Sequence, residues 1–202
     1  MLRLRRVAIT GGLSSGKSSV CRFFNELGAR VVSADQIVHF LLNPDTELGR
    51  KIIELLGNEI VVMGVFDRKK IADAVFQSPE KLKKLEALLH PAVHAKIIEE
   101  ANNAENDPQA TLFVAEIPLL FESGNHYKDF VTIAVVADEN ECLKRYVDKT
   151  QNSPEEFRRR MRQQMNPLEK ARNADYVIEN RGSLPDLHKQ VEGIFKILTS
   201  NP

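Results

Sequence analysis

The sequence predicts an α/β fold, with a roughly five-stranded parallel sheet and helices on both faces. Three features carry this expectation. The apolar run Val7-Ala8-Ile9-Thr10 passes directly into Gly11-Gly12-Leu13-Ser14-Ser15-Gly16-Lys17-Ser18, a strand, a glycine-rich turn and a helix start in succession. Two further runs, at 112–115 and 130–136, are almost continuously apolar, as in parallel strands covered on both faces. Helix-period segments separate the strands and supply the crossovers that parallel pairing requires.

Gly11, Gly16, Lys17 and Ser18 match the phosphate-binding pattern G-x-x-x-x-G-K-[ST] at every specified position. A triphosphate needs several backbone N–H groups aimed inward, and glycine lets the chain curl that tightly. The loop from Gly12 through Leu13, Ser14 and Ser15 to Gly16 would wrap the phosphates. Lys17, Ser18 and Ser19 would open the following helix, whose N-terminal dipole end adds positive potential. Lys17 is expected to reach the β/γ-phosphates of ATP, and the Ser18 hydroxyl to ligate Mg²⁺.

The first helix runs to Leu27 with Val20, Phe23, Phe24 and Leu27 on one face, and Gly28 suits its C-terminal cap. A short strand at 29–32 follows and leads into Ser33-Ala34-Asp35. Placed at the end of the strand taken to neighbour the phosphate loop, Asp35 could accept the proton of an incoming hydroxyl. It could equally cap a helix over 36–42. Residues 36–103 read as helical segments at 37–42, 48–56, 69–76, 79–89 and 92–101, with Ser78 capping the one that starts at Pro79. His90-Pro91 is expected to break that helix, because proline disfavours helical geometry in the residue before it.

After the strand at 112–115, Glu116 stands where an acidic residue can hold Mg²⁺. Asp138 opens the helix that follows the strand at 130–136. Ser153-Pro154-Glu155-Glu156 is a capping-box signature ahead of Arg158, Arg159, Arg160 and Arg162. That arginine-rich stretch could close over a triphosphate, or it could be a solvated face with Glu155–Arg159 and Glu156–Arg160 pairs. A last strand at 175–180 and an amphipathic helix at 184–198 complete the chain.

Composition narrows the class. The chain has 202 residues, 43% of them hydrophobic, enough for one compact α/β unit with attachments. Lys plus Arg (28) balance Asp plus Glu (28), and only 6% of residues are aromatic, which argues against a nucleic-acid partner. No stretch has the length of a membrane span, and Cys21 and Cys142 are expected to be unpaired buried thiols in a reducing cytoplasm. GTPase switches commonly carry D-x-x-G and N-K-x-D, and neither occurs.

Taken in order, GGLSSGKSS, SADQIVH, LLHPAVH, IPLLFESG, SPEEFRRRMRQQ and EKARNADYVIENRGS make the chain resemble dephospho-CoA kinases over nearly its whole length. The resemblance implies a P-loop core of the nucleoside-monophosphate-kinase type (1–35, 108–140 and 168–202). It adds a helical acceptor-binding subdomain at about 36–107 and a lid at about 141–167. It implies ATP-dependent phosphorylation of the ribose 3′-hydroxyl of dephospho-CoA by a monomer or weak homo-oligomer. Asp35 would be the catalytic base and Arg145 and Arg160 the lid arginines. His90 and Pro118 would lie on the acceptor side, Asn180 near the adenine, and Ser18 and Glu116 at the metal. Four positions depart from the family pattern: Ser33 and Glu116 stand where aspartate is usual, Lys149 for a lid arginine, and Ser14 for a common loop glycine. The nearest alternative is another P-loop kinase acting on a nucleoside or nucleoside monophosphate.

Overall fold

The computed structural model describes residues 4–76, 78–124 and 127–200. Five strands form one wholly parallel sheet: β1 (Arg6–Gly11), β2 (Arg30–Ser33), β5 (Phe113–Glu116), β6 (Phe130–Val136) and β7 (Tyr176–Glu179). Their order is β2-β5-β1-β6-β7. The strand expected beside the phosphate loop is therefore not β2. β5 lies between β2 and β1, and the acidic residue ending the strand next to the loop is Glu116. Strand order is a long-range property that the run of apolar residues along each strand does not encode.

β1 is buried throughout, and the register aligns Ile9 with both Glu116 and Ile133, and Ser33 with Glu116. Gly11, Glu116 and Ser33 thus end their strands at one edge of the sheet. The chain leaves β1 for one side of the sheet and later fills the other. β1 therefore ends where the strand order reverses, the usual ligand crevice of open α/β sheets. The helix α1 (Lys17–Glu26) packs Val20, Phe23 and Phe24 into a core with Val7, Ile9, Val114, Ile133 and Val135, joined by α9 (Leu184–Ser200) through Leu187, Val191 and Leu198. Beneath the sheet's other end, the buried Arg6 guanidinium donates to Asn102 Oδ1 and Glu105 Oε1, each at 2.7 Å.

Two compact units are distinguishable: residues 1–33 with 100–202, and Ala34–Glu99. The second contains α2 (Ala34–Leu41), α3 (Glu47–Leu56), a single 3₁₀ turn, the hairpin β3 (Val61–Val62) and β4 (Val65–Phe66), α4 (Arg68–Phe76) and most of α5 (Pro79–Ala104). Ile52, Leu56, Ile60, Ile71 and Leu85 form its core. The hairpin is absent from the sequence reading. Its turn is Met63-Gly64, both at positive φ (50° and 80°), rather than the Asn-Gly or Asp-Gly that advertises such turns.

The expected break at His90-Pro91 does not occur. α5 runs uninterrupted for 26 residues with Pro91 inside it, and Ser78 Oγ accepts from Lys81 N at its start. Leu85 and Val93 are buried on either side of the proline, so packing of both helix halves outweighs the lost backbone bond and the steric preference of His90. Among the described residues no helix is long and apolar enough to cross a membrane. Because alanine restores an N–H donor at an exposed position, Pro91→Ala should stabilise the protein by about 1–2 kcal/mol in urea unfolding. A lower midpoint would mean that the proline is needed for the helix path.

Candidate active site

The phosphate loop is held in its curl by close backbone approaches. Gly11 adopts φ +149° and Gly16 φ +102°; a Cβ on Gly11 would collide with Val135 O, and one on Gly16 with Asn180 Nδ2. A Cβ at Gly12 would sit 3.0 Å from Pro167. Leu13 packs against the cluster of Cys142, Tyr146 and Phe157. Ser14 occupies the left-handed region at φ +56°, a conformation for which glycine carries no Cβ penalty. Ser15 N closes the turn on Gly12 O at 3.3 Å, while Ser19 and Val20 N–H groups bond back to Gly16 O. The Ser15 hydroxyl is buried without a hydrogen-bond partner among the described residues, the kind of orphan a phosphate oxygen satisfies.

Lys17 is buried and its Nζ donates to Gly12 O (2.8 Å) and Gly11 O (3.2 Å), which keeps the ammonium on the loop. One residue on, Ser18 Oγ donates to Glu116 Oε1 at 3.2 Å. The two side chains expected at a metal therefore converge from α1 and β5. A hydroxyl and a carboxylate are hard oxygen donors, the kind Mg²⁺ takes when waters and substrate phosphates complete its octahedron, so the pair fits that ion. Among the described residues no group of three or more His, Cys, Asp or Glu side chains could hold a metal on its own. Behind this pair lies Cys21; burial first, and then the Glu116 charge, pushes its thiol far above the ordinary range.

Arg145 lies on α6 (Glu139–Thr150), which Asp138 caps by accepting from Asn140 N and Glu141 N. Its Nη2 is 3.9 Å from Glu141 Oε2, and its Nη1 is buried with no hydrogen-bond partner among the described residues. Arg160 lies on α7 (Pro154–Arg162), capped by Ser153. The second half of the expected capping box is diverted: Glu156 Oε1 accepts from Arg159 Nη2 (2.7 Å) and Arg160 Nε (2.8 Å), and these bonds hold its carboxyl below the usual range. Of the two surface pairs expected on this helix, Glu156–Arg160 forms, whereas Glu155 meets Arg158 at 3.9 Å. The Arg160 guanidinium also lies 6.0 Å over the Tyr146 ring, and Lys149 is exposed in the last turn of α6.

Sequence reasoning missed α8 (Pro167–Asn173) and with it Lys170. The signal was present, since Asn166 caps the helix by accepting from Leu168 N and Pro167 occupies its first turn. Lys170 is completely buried; its Nζ donates to Pro118 O at 2.6 Å and pairs with Glu122 Oε1 at 2.8 Å. Glu122 Oε1 also accepts from Met165 N, and Pro118 O from Thr10 Oγ1 at 3.1 Å. Pro118 thus has its carbonyl committed within the protein. Asn180, buried at the end of β7, donates its amide to Ser15 O at 2.9 Å. Asp35 and His90 belong to the second unit: Asp35 is exposed in the first turn of α2, which begins at Ala34, and His90 is half-buried midway along α5.

Lys170→Met leaves a mostly buried carboxylate without its cation, so urea unfolding should show a loss of about 3 kcal/mol. Adding Glu122→Gln should recover part of it. Equal stability of the wild type and the single variant would show that the ion pair contributes nothing.

Comparison with known proteins identifies the family of the chain. Residues 5–186 match the family model described as dephospho-CoA kinase. A dephospho-CoA kinase of Protochlamydia amoebophila is 46% identical, with 98% of each chain covered. Among solved structures, a Thermus thermophilus protein superposes with a TM-score of 0.81 at 34% identity, covering 98% of this chain and 99% of that one. The dephospho-CoA kinase of Campylobacter jejuni does so with 0.73 at 28% identity, covering 96% and 97%. A phosphate loop on the middle strand of a five-stranded parallel sheet, matched to these relatives end to end, makes the chain a member of the dephospho-CoA kinase family.

Proposed function

We propose that this kinase transfers the γ-phosphoryl group of ATP to the ribose 3′-hydroxyl of dephospho-CoA, forming coenzyme A and ADP, with the residues above in defined roles. The observation that carries the phosphoryl-transfer reading is the convergence of Ser18 Oγ and Glu116 Oε1, 3.2 Å apart, beside a buried Lys17 on the phosphate loop. Gly12 to Ser19 cradle the phosphates through backbone N–H groups, with Lys17 supplying a point charge to the β/γ-phosphates. Ser18 and Glu116 would hold Mg²⁺, which would supply charge neutralisation to the triphosphate. Arg145 and Arg160, on adjoining helices, supply further positive charge as the phosphoryl group moves. Asp35 takes the proton of the 3′-hydroxyl while its oxygen bonds to phosphorus and the bond to ADP breaks. His90 and Pro118 are assigned to the acceptor side. The acceptor itself rests on the family.

A coupled assay for ADP release, run across dephospho-CoA and nucleoside monophosphates, tests this reading. Turnover should require dephospho-CoA, and the product should carry its new phosphate at the 3′ position. Good turnover with a nucleoside monophosphate alone would reassign the acceptor. Asp35→Asn keeps shape and removes the proton acceptor, so kcat should fall by about 100-fold or more with an unchanged circular dichroism spectrum. Near-normal turnover in that variant would reduce Asp35 to a helix-start residue. Lys17→Ala should raise KM for ATP and lower kcat together, since the lysine serves both binding and transfer.

A further inference from the structure

We infer that Asn180 is a positioning residue that aims the phosphate loop and does not read the nucleotide base. This rests on the nucleotide-binding reading of the loop. Asn180 closes β7, and its backbone N–H donates to Val136 O at 2.7 Å, which fixes the residue to the end of β6. Its side-chain amide, buried, donates to Ser15 O at 2.9 Å across 165 residues of sequence. Gly16 leaves the space for this amide: a Cβ there would collide with Asn180 Nδ2. The missing side chain of Gly16 and the short amide of Asn180 are therefore one fitted contact.

The consequence follows from peptide geometry. The Ser15–Gly16 peptide is planar and trans, so its carbonyl and its N–H point in opposite directions. Fixing Ser15 O on Asn180 therefore turns the Gly16 N–H away from Asn180, toward the hollow of the loop where a phosphate oxygen would accept it. Gly16 at φ +102° has conformational freedom that would otherwise let this plane rotate. Asn180 supplies the restraint that glycine cannot supply for itself. The bond to Ser15 O commits one of the amide's two N–H groups to the loop, and the kinetics below separate that role from any contact with a base.

Asn180→Ala separates the two roles when kcat/KM is measured with ATP and with GTP as donors. A loop restraint predicts a drop of about 10- to 100-fold for both donors, with their ratio unchanged within about twofold. Hydrogen exchange of the peptide spanning residues 12–19 should quicken in the variant while peptides of β5 and β6 keep wild-type rates. Loss of ATP preference with little change for GTP would overturn the proposal in favour of base recognition. Unchanged kinetics, or unchanged exchange in the loop, would overturn it as well. Should Asn180→Ala fail to fold, Asn180→Asp keeps the volume and removes the donor, and the same two readouts apply. The exchange measurement needs no acceptor, so a wrong acceptor assignment and a wrong role for Asn180 give different results.

Discussion

The structure depends on one backbone constraint: the chain must turn between β1 and α1 with its N–H groups inward and almost no side-chain volume. The neighbours fill what glycine leaves out. The Val135 carbonyl lies against Gly11, Pro167 against Gly12 and the Asn180 amide against Gly16. Leu13 extends the contact to Tyr146 and Phe157. Strand ends from β6 and β7 and helices α6 to α8 thus all bear on one short turn. Each approach is close enough that a methyl group at Gly11 or Gly16 would meet an atom already in place.

Much of this was legible in the sequence because it is local. The G-x-x-x-x-G-K-[ST] spacing specifies the turn, and the runs at 112–115 and 130–136 announce strands covered on both faces. What escaped is set by longer range or by compensation. The insertion of β5 between β2 and β1 is decided by how crossovers pack, which no segment records. The helix through Pro91 survives because core contacts on both sides outweigh a local rule. The Met63-Gly64 turn and the short helix at Pro167 carry weak or overlooked local signals. Lys170 has no local signal that sets it apart, and only its tertiary partners, Pro118 O and Glu122, reveal a buried cation. The residues assigned to the triphosphate and the metal were readable from spacing, whereas the contacts that hold them in place were not.

The charged side chains around the loop divide by geometry. Glu156 gathers Arg159 and Arg160 through short bonds, so that part of each guanidinium's hydrogen-bonding capacity is spent before any substrate arrives. Arginine tolerates this because its fork carries five donors, and orientation gained through one arm leaves others to bind. Lys149, in the last turn of α6, has no such fork, so a preset orientation of this kind is not open to it.

Cys21 carries a further consequence. Its sulfur lies near the carboxylate proposed to hold the metal, and burial and that neighbouring charge both push its thiol up. Only the thiolate attacks electrophiles or enters disulfide exchange at useful rates. Cys21 is also buried in the core under α1, so an alkylating or oxidising agent in the nucleotide cleft would find its sulfur shielded. The site combines a sulfur atom with chemical durability.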